Sequence, residues 1–296
     1  MNQPRVIALG FFDGVHLGHG ALLKACRETA DRLGAVAACV TFDRHPDTLI
    51  FGQKVNLLTS LLDRERIMKE QYRMDEVLTL HFDREMMDMP WLDFIHEILR
   101  KQFGGVAFVC GHDFRFGRKG EGNALRLQEE SARLGLSCQV IPPVELDGII
   151  VSSTYIRSLV ERGDMEQAQK FLGHPYTLSG KVVGGKHIGR TMGTPTANLQ
   201  IPEVLLPPRG VYACKAHTEG GTYLAVTNIG TRPTVEGEGL TVEPWLLDFA
   251  GDLYGSEMTL ELHKFLRPEQ RFPTLEALRD EIRRNADQTR EYFREK

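Results

Sequence analysis

The feature that most constrains the fold of this chain is a change in the rhythm of its hydrophobic segments near residue 176. Before this point, short apolar runs alternate with stretches in which apolar residues recur every three or four positions. Strands that alternate with helices predict a parallel sheet covered on both faces. After this point, short β-type runs are separated by Gly- and Pro-rich turns, which predicts a small antiparallel barrel.

The predicted elements divide the chain into two domains, at residues 1–175 and 176–296. The first-half strands are Val6–Gly10, Ala35–Phe42, Val77–Phe82, Val106–Cys110 and Cys138–Ile141, with helices beginning near Gly18, Ser60, Trp91 and Asn123. Leu61, Arg64 and Met68 lie along the second of these helices. The second-half strands are Val182–Val183, Val211–His217, Tyr223–Ile229, Val242–Phe249 and Met258–Phe265. A final helix from about Thr274 presents one apolar face, which is expected to dock on the barrel.

Composition excludes several classes of protein. With 36 Lys and Arg against 40 Asp and Glu, the net charge of −4 attracts neither nucleic acid nor an anionic membrane. The longest apolar stretch, Ala35–Val40, is far shorter than the roughly 20 residues that a spanning helix needs. The N-terminus lacks a signal pattern, and the five scattered cysteines are typical of buried, reduced thiols. We expect a cytoplasmic protein with no membrane or nucleic-acid partner.

The segment Gly10–His19, with the sequence GFFDGVHLGH, follows the first predicted strand and leads into the first helix. A helix N-terminus carries free N–H groups and the positive end of a dipole, which favour phosphate. Gly18 lets a nucleotide approach the backbone, and His16 and His19 would donate to the charge that develops on phosphorus. From these residues alone, ordinary loop histidines or half of a metal site remain alternatives.

Two further segments follow predicted strands. Ser152–Arg157 (SSTYIR) opens a helix, where its hydroxyls either cap the helix or bind phosphate, and where Arg157 either pairs with a triphosphate or lies at the surface. Gly111–Gly117 (GHDFRFG) interleaves two aromatic rings with an arginine, which suits a flat ring with an anionic tail as well as it suits a packed loop. Ligands of parallel sheets lie beyond the carboxyl ends of strands, where these segments fall.

Together with TSLLDRER at residues 59–66, these segments resemble the FAD synthetase module of bacterial bifunctional riboflavin kinase/FAD synthetases. The four motifs occur in the order and spacing of that module across essentially residues 5–175. The resemblance implies the α/β fold of the HxGH nucleotidylyltransferases, with a Rossmann-like parallel sheet. It also implies the reaction of FMN with ATP to give FAD and pyrophosphate.

The same resemblance implies roles for individual residues. It gives catalytic roles to His16, His19 and Arg157. ATP is expected against Gly10, Phe11, Asp13, Gly14, Gly18, Ser152, Ser153 and Thr154. The flavin is expected near Asp113, Phe114, Arg115 and Phe116.

The densest motif of the second half is GKVVGGKHIGRTMGTPTAN at residues 180–198. Successive glycines can form a concave anion site, although the G-K-[ST] of a Walker A loop is missing from the sequence. Thr196 and Asn198 are two residues apart, so that in an extended segment both oxygens point to one face and reach a single Mg²⁺. A turn with a structural Asn is the alternative.

This block resembles the G-x-x-x-G-R-x-x-G-x-P-T-A-N signature of riboflavin kinase. The segments LPPRGVY at 206–212, NIGTRPT at 228–234, LYG at 253–255 and FLR at 265–267 match that family as well. The resemblance covers about residues 176–296 and implies a six-stranded antiparallel barrel with a C-terminal helix, binding Mg²⁺, ATP and riboflavin. It places ATP against Gly185, Gly189, Arg190 and Gly193, and the metal on Thr196 and Asn198.

The resemblance also implies that Glu243 is the general base of the kinase, accepting the proton of the riboflavin 5′-hydroxyl. The alternative is a solvated strand carboxylate. Pro244 follows it in the sequence. Because proline donates no hydrogen bond to a β ladder, this strand is expected to be at an edge or bulged at that point.

The sequence therefore predicts one enzyme with two sites that use ATP, which phosphorylates riboflavin to FMN and then adenylylates FMN to FAD. A chain with only one of these activities is one alternative, and a non-enzymatic flavin-binding protein is another. The oligomeric state is left open, a homo-oligomer included.

Overall fold

In the computed structural model, which describes residues 3–52, 54–184, 196–234 and 237–295, the chain forms two compact units. The first unit contains Met1–Leu57 and Leu61–Ser153, and the second contains Leu58–Ser60 and Thr154–Lys296. Contacts thus divide the chain earlier than the boundary predicted between residues 175 and 176. That predicted boundary separates two functions and stays a prediction.

The first unit is a five-stranded parallel sheet with helices on both faces. Its sheet strands are β1 (Arg5–Leu9), β2 (Val36–Phe42), β3 (Glu76–Leu80), β4 (Gly105–Gly111) and β7 (Ser137–Ile141); β5 (Arg115–Phe116) pairs with β6 (Gly122–Asn123), and β8 (Glu145–Leu146) with β9 (Ile149–Ile150). Its helices are α1 (Leu17–Leu33), α2 (Pro46–Phe51), α3 (Leu61–Tyr72), α4 (Arg84–Asp88), α5 (Trp91–Asp93), a π-helix (Phe94–Gln102) and α6 (Ala124–Arg133).

Strand β1 is the centre of this sheet, whose order is β3-β2-β1-β4-β7. Val6 and Ala8 pack into the core beneath α1 and α3, whereas Ile7 and Leu9 pack into the opposite core beneath the π-helix and α6. Burial on both faces explains why the strand is an uninterrupted apolar run. Because the chain continues to β2 on one side and β4 lies on the other, the loop after β1 is at the topological switch point, where ligands bind in such sheets.

The second unit is a closed six-stranded antiparallel barrel in the order β10-β11-β14-β13-β12-β15. The strands are β10 (Tyr176–Val183), β11 (Asn198–Gln200), β12 (Gly210–Thr218), β13 (Gly221–Thr234), β14 (Gly237–Leu246) and β15 (Glu257–Pro268). Three helices accompany them: α7 (Ser153–Glu161), whose first residue belongs to the first unit, α8 (Met165–Leu172) and α9 (Leu275–Arg294). Ala286 of α9 packs with Val211 and Val226 on the outside of the barrel. The predicted fold class is confirmed in both halves.

Throughout the ranges that the structure describes, each helix is too short or too polar to cross a lipid bilayer.

We predict that Gly117, which ends the aromatic segment after β4, tolerates alanine poorly. Its backbone is left-handed (φ 71°), and a Cβ there would be 2.7 Å from the backbone of Trp91. Gly34 is also left-handed (φ 62°), but a Cβ there would have no described atom within 4 Å. Gly34→Ala should therefore cost only the backbone penalty of about 1 kcal/mol, and Gly117→Ala about 1–3 kcal/mol more.

Urea unfolding of the two variants, with wild type alongside, measures this difference directly. Equal shifts of the two unfolding midpoints would show that the contact with Trp91 does not restrict position 117.

Candidate active sites

The first candidate site is the loop that joins β1 to α1. Gly10 continues β1 by donating its backbone N–H to the carbonyl of Val40 in β2 over 3.3 Å. A Cβ at Gly10 would be 3.1 Å from the ring of Phe12, which fills the space beside it. The loop is thus anchored at the switch point with its backbone close to the sheet.

This loop has an unusual backbone. Phe12 (φ 60°), Gly14 (φ 79°) and Val15 (φ 41°) all have left-handed conformations, and a β-branched residue such as Val rarely adopts one. The side chains of Phe12 and Val15 are completely buried and hold these conformations in place. Strained backbone that is fixed by packing is typical of functional sites, and here it turns the chain sharply into α1.

His16 caps α1 with its side chain. Its Nδ1 accepts a hydrogen bond from the backbone N–H of His19 at 3.3 Å, so the proton of a neutral His16 ring is on Nε2. The two imidazole rings stack with centroids 3.6 Å apart and planes 14° from parallel. A Cβ on Gly18 would be 3.1 Å from the His16 ring, so glycine leaves the room that the stacked pair needs. The sequence-predicted pair is therefore brought together.

His19 lies in surroundings that disfavour a proton. Burial, and next the charges of His16 and Arg64, hold the pKa of His19 well below its usual value of 6.5. Its Nδ1 is buried and has no hydrogen-bond partner in the described part of the chain. A neutral imidazole at a helix N-terminus suits an anionic ligand when the ring nitrogen without a partner carries the proton and donates it in a hydrogen bond.

The segment Ser152–Arg157 reaches the same loop through its first residues. The Ser153 hydroxyl donates to the backbone carbonyl of Asp13 at 2.9 Å, and the carbonyl of Val151 faces the Cβ position of Gly18 at 3.6 Å. Thr154 and Arg157 follow in the opening turns of α7. Two motifs far apart in the sequence are thus joined by a direct hydrogen bond.

The segment Gly111–Gly117 leaves the carboxyl end of β4, the strand next to β1. Asp113 folds back over Gly111, where a Cβ would meet its carboxylate at 2.9 Å. Phe114 is half-buried and stacks on Phe116 with centroids 5.4 Å apart, whereas Arg115 is exposed. Phe116 packs into the core against Phe94 of the π-helix. Phe116, one of the four residues predicted to lie near the flavin, is therefore part of the hydrophobic core.

The second candidate site is on the barrel. Asn228 of β13 pairs directly with Glu243 of β14. On the other side of β14, Leu199 pairs with Val242 and the Ala197 N–H donates to the Pro244 carbonyl at 2.9 Å. This register brings Asn198 opposite Glu243.

These three polar residues form a row across adjacent strands. Ile229, Val242 and Leu199 alternate with them and are buried, so Asn228, Glu243 and Asn198 share the other face of the sheet. Directly paired side chains have Cβ atoms about 4.5–5.5 Å apart. Thr196 precedes the row and is exposed. The hydroxyl and amide oxygens of Thr196 and Asn198 are donors that Mg²⁺ accepts, so these residues fit the predicted metal.

Pro244 is accommodated without a bulge. The pairing of β13 with β14 runs without a register shift past Pro244, which is opposite Thr227. Its carbonyl points toward β11, and so does the position where its missing N–H would be. Pro244 lies just beyond the pair Leu199–Val242, and its carbonyl accepts from Ala197, which comes immediately before β11. In this closed barrel the proline is thus placed without the bulge that the sequence allowed.

The remaining predicted residues, Gly185, Gly189, Arg190 and Gly193, lie outside the described residues. Sequence reasoning missed two residues that the structure brings to these sites, Arg64 beneath the first loop and Asn228 beside Glu243. The signal for Arg64 was available, because an arginine on the apolar stripe of a helix is unusual. Asn228 opens the segment NIGTRPT, but that motif gave it no role of its own, and only strand register places it beside Glu243.

Comparison with known proteins finds a different family model for each half of the chain. A family model described as FAD synthetase matches residues 1–155, and one described as riboflavin kinase matches residues 172–293. Proteins named bifunctional riboflavin kinase/FMN adenylyltransferase are similar over nearly the whole chain. One from Pseudomonas fluorescens is 38% identical (95% of this chain, 90% of the relative), and one from Escherichia coli K12 is 37% identical (97% and 92%).

A solved structure from Streptococcus pneumoniae, named as that of a macrolide-efflux protein, resembles the whole chain. The similarity covers 98% of this chain and 95% of that one, with a TM-score of 0.85 and 27% sequence identity.

We predict that the ring of His19 stays neutral at about pH 6, where an ordinary histidine is mostly protonated. The reason is its lowered pKa, which follows from burial and from the neighbouring positive charges. NMR titration of the histidine ring signals measures this pKa, and His19→Gln identifies the signal. A His19 signal that titrates at or above 6.5 would contradict the geometry described here.

Proposed function

We propose roles for individual residues on the premise that this chain belongs to the family of bifunctional riboflavin kinase/FMN adenylyltransferases. The enzyme phosphorylates riboflavin to FMN with ATP, and transfers an adenylyl group from ATP to FMN to give FAD. The observation that carries our assignment of the adenylyltransferase site is the hydrogen bond from Ser153 to Asp13, because it unites two sequence motifs at the switch point of the sheet.

In the adenylyl transfer, an FMN phosphate oxygen attacks the α-phosphorus of ATP in line and pyrophosphate leaves. The charge that develops on the α-phosphate needs donors that are already in place. His16 and His19 supply them, which is supported by their stacking and by the helix N-terminus at which they lie. The role of Arg157 is to hold the triphosphate by paired hydrogen bonds.

ATP binds along the loop and the start of α7. The proposed contacts are Gly10, Phe11, Asp13, Gly14, Gly18, Ser152, Ser153 and Thr154. Supporting this is the left-handed backbone at Phe12, Gly14 and Val15, which turns the chain into the N-terminus of α1, where the helix dipole favours phosphate.

The flavin of FMN lies toward Asp113, Phe114 and Arg115. The half-buried ring of Phe114 offers a surface for stacking, and the exposed Arg115 offers a cation for an anionic tail. Phe116 supports Phe114 from the core, which makes its contribution indirect.

In the kinase reaction, Glu243 accepts the proton of the riboflavin 5′-hydroxyl as this oxygen attacks the γ-phosphorus of ATP. Thr196 and Asn198 hold Mg²⁺, and the row that joins Asn198 to Glu243 supports this arrangement. When bound, Mg²⁺ neutralises charge on the transferring phosphate. The glycines at 185, 189 and 193, with Arg190, remain predicted contacts of ATP. A cytoplasmic location also remains a prediction, which the five free thiols support.

We predict that the two activities can be removed separately. His16→Ala should abolish FAD formation and leave FMN formation intact, because His16 belongs to the first unit. Asn198→Ala should abolish FMN formation from riboflavin and leave FAD formation intact when FMN is supplied. Chromatography of the flavins formed from each substrate measures both activities.

The two variants control for each other, since each should keep the activity that the other loses. If either single substitution removed both activities while the protein stayed folded, the assignment of two independent sites would be wrong.

We also predict that Glu243→Gln lowers the kcat of riboflavin phosphorylation by about 10²- to 10⁴-fold, the usual contribution of a general base. The amide keeps the size of the side chain but accepts no proton at neutral pH. Glu219→Gln, at an exposed turn of the same barrel, is the matched control and should leave kcat unchanged. A Glu243→Gln enzyme with nearly normal kcat would remove Glu243 from the mechanism.

A further inference from the structure

Arg64 is a charged side chain in an apolar place. It lies on α3 with only 1% of its surface exposed, among the largest fully buried side chains of the chain. Its guanidinium is directly over the ring of Phe11, 4.2 Å from the centroid. Phe11 belongs to the loop between β1 and α1, so Arg64 contacts this loop directly.

A short series of hydrogen bonds connects the guanidinium to the loop backbone. Nη1 of Arg64 donates to the hydroxyl of Thr41 at 3.0 Å and to the carbonyl of Phe42 at 3.1 Å. The hydroxyl of Thr41 donates in turn to the carbonyl of Phe11 at 2.8 Å. That carbonyl immediately precedes the left-handed residue Phe12, so the series ends where the backbone turns.

The charge of Arg64 is costly for the fold. Burial lowers its pKa to about 10, against the opposing effect of the Asp13 charge, so the side chain is still a cation at neutral pH. Its Nε is buried and makes no hydrogen bond within the described residues. Apolar residues of similar volume often replace buried charged groups without loss of stability. Packing alone therefore does not explain an arginine at this position.

We infer that Arg64 is a positioning residue of the adenylyltransferase site, which acts through Thr41 and Phe11 to hold the loop Gly10–His16 in its nucleotide-binding conformation. This inference rests on the proposed function of that loop. Arg64 acts on the loop at two points. Its guanidinium stacks on the ring of Phe11, and the Thr41 hydroxyl, to which it donates, holds the backbone carbonyl of Phe11. Small displacements of a positioned group cost large factors in rate, so the loss of either contact should be visible in catalysis.

The test compares three single variants, and the double variant of Arg64→Met with Thr41→Val, in the full-length enzyme. Arg64→Met keeps the approximate volume and removes the charge and its hydrogen bonds. Thr41→Val keeps Arg64 and removes only the hydroxyl that links it to Phe11. Arg64→Lys retains the charge and a hydrogen-bond donor group, but loses the planar guanidinium. For each variant we would measure kcat and the KM for ATP in FAD formation, riboflavin phosphorylation by the same chain, and the midpoint of thermal unfolding.

We expect Arg64→Met to lower kcat/KM for FAD formation by about ten- to a hundredfold, with a raised KM for ATP. Thr41→Val should reproduce most of this loss, and the double variant should lose little more than Arg64→Met alone, because the two residues act in one series. Arg64→Lys should recover part of the activity. Phosphorylation of riboflavin should be unchanged by all of these substitutions. Every variant should remain fully folded at the assay temperature, with its unfolding midpoint lowered by no more than the few degrees that one unpaired buried group costs.

Several results would overturn the inference. Normal FAD formation by Arg64→Met would exclude any role of Arg64 in adenylyl transfer. Loss of FAD formation in Arg64→Met together with normal FAD formation in Thr41→Val would mean that Arg64 does not act through Thr41 and the loop. A fall in the unfolding midpoint that accounts for the lost activity would make Arg64 a structural residue only. His16→Ala is the reference: if it lacks FAD formation while Arg64→Met is normal, the proposed function stands and only this inference fails.

Discussion

The packing of Phe12 and Val15 into the core under β1 is the interaction on which the first site depends. These two side chains fix left-handed backbone that an isolated peptide would not adopt. The turn that results starts α1 at His16, stacks the two histidines and leaves the carbonyl of Asp13 for Ser153. The geometry of this candidate site is thus a consequence of core packing, because apolar side chains hold in place the backbone that carries its polar residues.

In the barrel, the register between strands brings the candidate residues together. Glu243 and Asn198 come from strands that are far apart in the sequence, and a slip of one residue in either strand would turn its side chain to the opposite face. Buried residues such as Val242 and Leu199 prevent this slip because their own face must remain apolar. Pro244 fits this register because its carbonyl still accepts a hydrogen bond from Ala197, and the pairing of β14 with β13 continues past it without a shift.

Much of this arrangement follows from the sequence. Alternation of apolar runs with helical periodicity predicted the parallel sheet, and the motifs predicted which strand ends carry the candidate residues. Three features required coordinates. The burial of Phe116 could not be distinguished from a role in ligand binding, because an aromatic ring serves both. Asn228 lies in the motif NIGTRPT, but only its pairing across the ladder places it beside Glu243. The role of Arg64 on the apolar stripe of α3 could not be inferred until the structure showed its contact with Phe11 in the loop after β1.

The central claim is that one chain uses ATP in two chemically different ways, and labelled ATP tests it most directly. The purified protein would be incubated with riboflavin, Mg²⁺ and ATP labelled in either the α- or the γ-phosphate, and the flavins would be separated. FMN should acquire only the γ label, and FAD should acquire the γ label on its flavin side and the α label on its adenosine side. FMN without further conversion, or FAD that lacks the γ label, would contradict the account.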